Sequence, residues 1–217
     1  MALVAPLLCK NWQSPESAIP DARPVIGVPD GPYLAQTSPE GLSAFERQLI
    51  LLEKAGYTVQ HVRAMEDIET INRRHTRLIF AEMAQVHATW FVEYESLYRP
   101  RTVAAIREGQ EVSAEELVAC RVGRAELRAK LGLLMTEAGI DLWISPAAPG
   151  PAPKGITTTG NPIMNLPWTY AGMPAISLPA GHAANGLPLG LQCIAAFMAD
   201  ERLVSWTRKL AESLVGV

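Results

Sequence analysis

Short β-branched runs alternate along this chain with longer stretches whose apolar residues recur every three or four positions. The run Pro24-Val25-Ile26-Gly27-Val28 closes on Pro29-Asp30-Gly31-Pro32, which predicts a strand ended by a turn. Ser38 and Pro39 then mark a helix start, and Leu42, Phe45, Leu49 and Leu52 repeat at helical spacing until Gly56 stops the pattern. Residues 57–62 read as a second strand. Strand, helix and strand over short connections form a βαβ unit, whose two strands pair in parallel with a right-handed crossover.

From about Met65 to Leu134 the pattern is helical. Ile79, Met83 and Val86 sit at helical spacing, as do Leu117, Cys120, Leu127, Leu131 and Leu134. Arg99-Pro100 interrupts one helix, and Ser113-Ala114-Glu115-Glu116 is a capping box that opens another, ended at Gly139. Residues 141–146 read as a buried strand. Residues 174–179 and 189–194 are two more, with Asn185-Gly186 between them as a hairpin signal inside a loop that is long for a two-residue turn. Asp200-Glu201 opens a last helix that carries Leu203, Trp206 and Leu210 on one face. The expected fold is α/β, a mixed β-sheet flanked by helices. Residues 1–23, rich in Pro, Ser and Ala, read as a linker or edge segment, and residues 24–217 as the domain proper.

Composition narrows the function classes. With 217 residues, 48% of them hydrophobic, the chain can hide roughly 70% of its unfolded surface in one core. Only 19% of residues are charged and the net charge is −3, so nothing draws it to nucleic acid or an anionic membrane. Cys9, Cys120 and Cys193 lie far apart without CxxC spacing; each reads as a free core or surface thiol in a reducing compartment. The apolar start MALVAPLLCK has no basic residue ahead of it and no cleavage site, and no run approaches the roughly 20 apolar residues of a membrane span. The expectation is a soluble cytoplasmic protein.

Candidate chemistry is sparse. His61, His75, His87 and His182 are scattered with no ligand partners at metal spacing, so neither a metal nor a cofactor is expected. No GxSxG elbow and no phosphate loop occur. The lysines lie on helix faces or in loops, and Glu82 and Glu93 read as members of helix-face ion pairs. What remains is the stretch TTTGNPIMNLPWTYAGMPAISLPAG, residues 157–181, where Thr157, Thr158, Thr159, Asn161 and Asn165 alternate with Pro, Gly and Trp. That mixture reads as an irregular segment crossing the surface near strand ends, where α/β folds place ligands.

The motif GNPIMNLPWTYAGMPAISLPAG, followed by GLPLGLQCIA and DERLVSW, resembles the carboxy-terminal part of amidase-signature enzymes. VIGVPDGPYL, SPEGLSAFERQLILLEKAGYTV and DLWISPAAPGPAP fit in the same order, so the resemblance runs from about Pro24 onward. It implies hydrolysis of carbon–nitrogen amide bonds, or transfer of the released ammonia, through a Ser–cisSer–Lys triad and a glycine-rich oxyanion loop. Nothing in this sequence matches those parts, which precede these motifs in the family's order, so no catalytic residue carries over. The resemblance instead implies a wall of the pocket for an amide-containing small molecule, with Thr159, Asn161, Met164, Asn165 and Trp168 nearest to substrate. Trp168 reads equally well as a core plug beneath the loop. The chain is expected to be inactive alone and to need an amino-terminal amidase half, separately encoded if the gene is split. A non-catalytic binding or regulatory module is the alternative, and an unrelated enzyme using His182 or Lys154 is a third reading.

Overall fold

The computed structural model describes residues 4–10, 12–13 and 23–214. Five strands form one mixed sheet: β1 (Ile26–Asp30), β2 (Val59–Arg63), β3 (Leu142–Pro146), β4 (Ala175–His182) and β5 (Pro188–Ala195), in the order β2-β1-β3-β5-β4. β1 pairs in parallel with β2 and β3, whereas β5 runs antiparallel to both β3 and β4. The expected βαβ unit is therefore present, with α2 (Pro39–Lys54) between its strands. The hairpin is present too, its connection lengthened to residues 183–187 and turned by Gly186 at φ 78°.

Local signals explain where the helices begin and end. Ser38 Oγ accepts from the Gly41 N–H and Pro39 occupies the first turn of α2, where its missing N–H costs nothing. Ser113 Oγ likewise accepts from the Glu116 N–H at the start of α6 (Ala114–Ala138), and Gly139 ends that helix in the left-handed conformation. The segment expected to be helical from Met65 divides into α3 (Ile68–Val86), α4 (Ala88–Tyr94), α5 (Pro100–Gln110) and α6. Glu82, expected in an ion pair along its own helix face, instead pairs with Arg121 at 3.3 Å and ties α3 to α6.

The sheet is the middle of three layers. β3, its central strand, is buried throughout. Leu142 and Ile144 pack with Phe45 and Leu52 of α2 and with Leu203, Trp206 and Leu210 of α8 (Asp200–Ser213). Trp143 packs on the other side with Ile68, Ile71 and Leu78 of α3, Leu127 and Leu131 of α6, and Trp168. The alternation along β3 thus serves two cores at once, which is why the strand reads as a continuous apolar run.

One expectation is corrected here. The stretch around Asn161–Trp168 does not cross the surface as an irregular segment: residues Pro162–Met164 form a 3₁₀ turn and Leu166–Ala171 an α-helix, α7. Pro162 and Pro167 stand in first turns, where proline favours helix, and Gly172 at φ 69° closes α7. Proline marked the starts of helices here, not their exclusion.

Most of residues 1–23 lies outside the described residues. Of the remainder, α1 (Ala5–Leu8) and Trp12 lie in a small groove with Pro174 and Ile176 at β4 and Leu203 of α8, and the Gln13 N–H donates to Glu201.

Candidate functional site

At the carboxy-terminal end of β3 the chain becomes PAAPGPAP, and this segment forms one side of a cavity of about 590 Å³. Its other sides are Gly41, Ala44, Phe45 and Gln48 of α2, Thr158–Asn161, and Pro188–Gly190 where β5 begins. Two close approaches fix the proline-rich segment. The Ser38 N–H donates to the Pro149 carbonyl at 2.7 Å, and a Cβ on Gly41 would meet that same oxygen at 2.5 Å. Only glycine lets the start of α2 and this segment touch.

The lining sets what the cavity can do. Pro146, Pro149, Pro151 and Pro153 have no N–H, so this side offers carbonyl acceptors and few donors. Among the described residues its hydroxyls are Thr158 and Thr159, and no Ser, Cys, Lys, His, Asp or Glu lines it. An acyl transfer needs an activated nucleophile and hydrogen-bond donors aimed at the developing oxyanion; among the described residues these walls carry no base beside either hydroxyl to activate it. They can select a ligand by shape and accept from its N–H groups. Gln48 is buried, anchored by Nε2 donating to the Ala180 carbonyl at 2.6 Å.

The five residues expected near substrate divide into two groups. Thr159 and Asn161 line the cavity and are exposed. Asn161 also caps the 3₁₀ turn, its Oδ1 accepting from the Ile163 N–H at 3.1 Å. Met164, Asn165 and Trp168 do not line it. Asn165 stands between the groups, half-buried, its Nδ2 donating to the Ala147 carbonyl at 3.2 Å. Met164 and Trp168 are fully buried.

A hydrogen-bonded centre that sequence reasoning missed holds the buried group. The Tyr33 hydroxyl donates to the Met164 carbonyl at 2.7 Å and accepts from Trp168 Nε1 at 2.8 Å. It lies 2.9 Å from Ser145 Oγ. A phenol has one proton, here given to Met164, so the Ser145 hydroxyl donates to it. Tyr33 and Trp168 also meet edge to face, with ring centroids 5.6 Å apart. Burial holds the Tyr33 phenol well above its usual range, so it stays a neutral donor. More than a hundred positions separate Tyr33 from Ser145 in sequence, and the only local signal was a tyrosine after a Pro-Asp-Gly-Pro turn.

Other candidates fall away from the cavity. His182 and Lys154 are exposed and do not line it. Cys120 and Cys193 are buried free thiols, and burial pushes the Cys193 thiol up to about 12. Among the described residues no cluster of three or more His, Cys, Asp or Glu could hold a metal ion, and no helix is long and apolar enough to cross a membrane.

Comparison with known proteins gives this geometry its context. The glutamyl-tRNA(Gln) amidotransferase A-subunit of Bartonella tribocorum is 39% identical over 74 residues, covering 30% of this chain and 15% of that protein. Its counterpart in Bacillus thuringiensis is 44% identical over 64 residues, covering 26% of this chain and 13% of its own. Among solved structures, a crystal structure of an amidase superposes with a TM-score of 0.77 at 24% identity, over 90% of this chain and 46% of that one. A 6-aminohexanoate cyclic dimer hydrolase follows with a TM-score of 0.69 at 20% identity, over 91% and 46%. The chain thus spans less than half of these solved relatives, and at such identities the superpositions establish the fold. The family model described as Amidase matches residues 8–204, starting ahead of Pro24 and running into α8. By that match, which takes in the whole sheet and every wall of the cavity, the chain belongs to the amidase family.

Proposed function

We propose that this chain supplies the carboxy-terminal share of an amidase that cleaves carbon–nitrogen amide bonds, and that the 590 Å³ cavity receives the amide-bearing substrate. One observation carries the reading: a pocket at the end of β3, within the volume range of small-molecule sites, whose walls among the described residues combine shape and acceptors without an activated nucleophile or a base. The reacting groups come from amino-terminal amidase polypeptide, joined to this chain or separately encoded. On this proposal residues 24–217 form part of the domain, residues 1–23 lead into it, and the free buried thiols fit a cytoplasmic location. Thr159 and Asn161 face the substrate, while Met164, Asn165 and Trp168 support that wall from behind.

The test is to combine the purified chain with an amino-terminal amidase half that bears the Ser–cisSer–Lys triad and to follow ammonia release from simple carboxamides. Turnover in the complex, weakened by Thr159→Ala mainly through KM, is expected. A complex that forms and stays inert across an amide panel would instead favour the second reading, a binding module without chemistry. The absence of nucleophile and base from the cavity lining favours that reading equally.

A further inference from the structure

A second cleft, of about 560 Å³, opens on the other side of α2, over the carboxy-terminal end of β1 and the middle of β2. Its floor is apolar, with Val28, Leu42 and Leu49, and Phe45 stands between it and the first cavity. Three ionisable side chains, Asp30, Glu46 and His61, also line it. Asp30 Oδ1 lies 2.9 Å from His61 Nδ1. A carboxylate only accepts, so Nδ1 is the donor in this bond, and in the neutral tautomer Nε2 is an acceptor. The cleft therefore presents two carboxylates and an imidazole acceptor beside an apolar bed. Arg63, which feels the charge of Asp30, is engaged by Glu66 at 2.9 Å.

At Asp30 and Gly31 the rim of the cleft reaches the carboxy-terminal end of β1, the end of a parallel strand at which open α/β sheets place ligands. The cleft sits at the β2 end of the sheet, whereas α1 and Trp12, the described residues that lead into the fold, lie at the opposite end against β4.

We propose that this cleft is a second ligand site, for a primary amine carried on an apolar group. An ammonium has three donors, matched here by Asp30, Glu46 and His61 Nε2, while its apolar body lies against Val28, Leu42 and Leu49. Opposite charge supplies the selectivity: a carboxylate head meets two like charges and an alcohol gains no ionic attraction. Such a site would stand whether or not the first cavity serves amide hydrolysis.

The experiment titrates the full 217-residue chain with 2-phenylethylammonium, 2-phenylethanol and 3-phenylpropionate, by calorimetry and by the NMR signals of His61. The amine should bind at least about tenfold more tightly than the other two. Asp30→Asn and Glu46→Gln should each weaken it about three- to tenfold, with unfolding temperatures unchanged because both side chains are at the surface. Thr159→Ala should leave amine binding unaltered. Equal affinities for the three probes would overturn the proposal, as would amine binding that follows Thr159→Ala instead of Asp30→Asn. Shielding of His61 from diethylpyrocarbonate by an added amino-terminal half would do the same, by showing that the cleft is an interface.

Discussion

Residues 147–161 and 162–173 are consecutive, yet they are built in opposite ways. The first span runs mostly exposed along the cavity, with Ile156 bare to solvent. Its internal hydrogen bonds are local, such as the Gly160 N–H to Thr158 Oγ1 at 3.2 Å. The second span turns inward: Met164, Trp168, Tyr170 and Ala171 are almost wholly buried. Tyr33 holds it at one end, and at the other the Tyr170 hydroxyl donates to the Cys120 carbonyl of α6. One continuous motif thus lines a cavity with one half and anchors itself in the core with the other. The difference teaches that a residue inside a family motif need not line the cavity; it can instead hold the residue that does.

Substitutions that break this contrast should fall in order of size. Trp168→Ala removes a fully buried ring beside Trp143 and Tyr33 and should cost about 3–5 kcal/mol in chemical denaturation. A loss below about 1 kcal/mol would mean the indole is not an anchor. Tyr33→Phe keeps the ring but leaves the Trp168 N–H, the Met164 carbonyl and the Ser145 hydroxyl without their shared partner; about 2–3 kcal/mol is expected. Asn161→Ala, which removes the cap of the 3₁₀ turn, should cost about 1 kcal/mol. Thr159→Ala should change stability by less than about 0.5 kcal/mol, so its effect should appear only in ligand binding or KM.

A pH measurement sharpens the same contrast from the anchored side. His75 is buried against Tyr170, ring centroids 5.7 Å apart. Burial, and secondarily the charge of Arg124, lower its pKa from the usual 6.5. The unfolded chain then binds the proton more readily than the fold, so stability rises with pH in that interval. The contribution is complete above about 6.5 and is lost as pH falls through the lower folded value. Denaturation at pH 7.5 and 5 should show this loss, reduced in His75→Gln; an identical slope in the variant would contradict the assignment.

Much of this fold was legible in the sequence because its signals are local. All five strands, the capped starts of α2 and α6 and the glycine ends follow from turn and cap chemistry within a few residues. Helical spacing identified α3 but not its buried face: Ile79 and Val86 lie at the right interval yet are exposed, because the face turned inward is the one carrying Ile71, His75, Leu78, Ala81 and Ala84. The candidate site was legible only in part. Thr159 and Asn161 could be read from a polar loop near strand ends, whereas their separation from Met164 and Trp168 depends on Tyr33 and Ser145, brought together only by the tertiary fold.

The most direct test of the claim that these residues give shape without reactivity is to incubate the rigorously pure chain with a carboxamide in ¹⁸O-labelled water and follow label in the released acid by mass spectrometry. The account predicts no incorporation above the buffer background at any enzyme concentration, and incorporation once an amino-terminal amidase half is added. Label that enters with the chain alone, in proportion to its concentration, would contradict it.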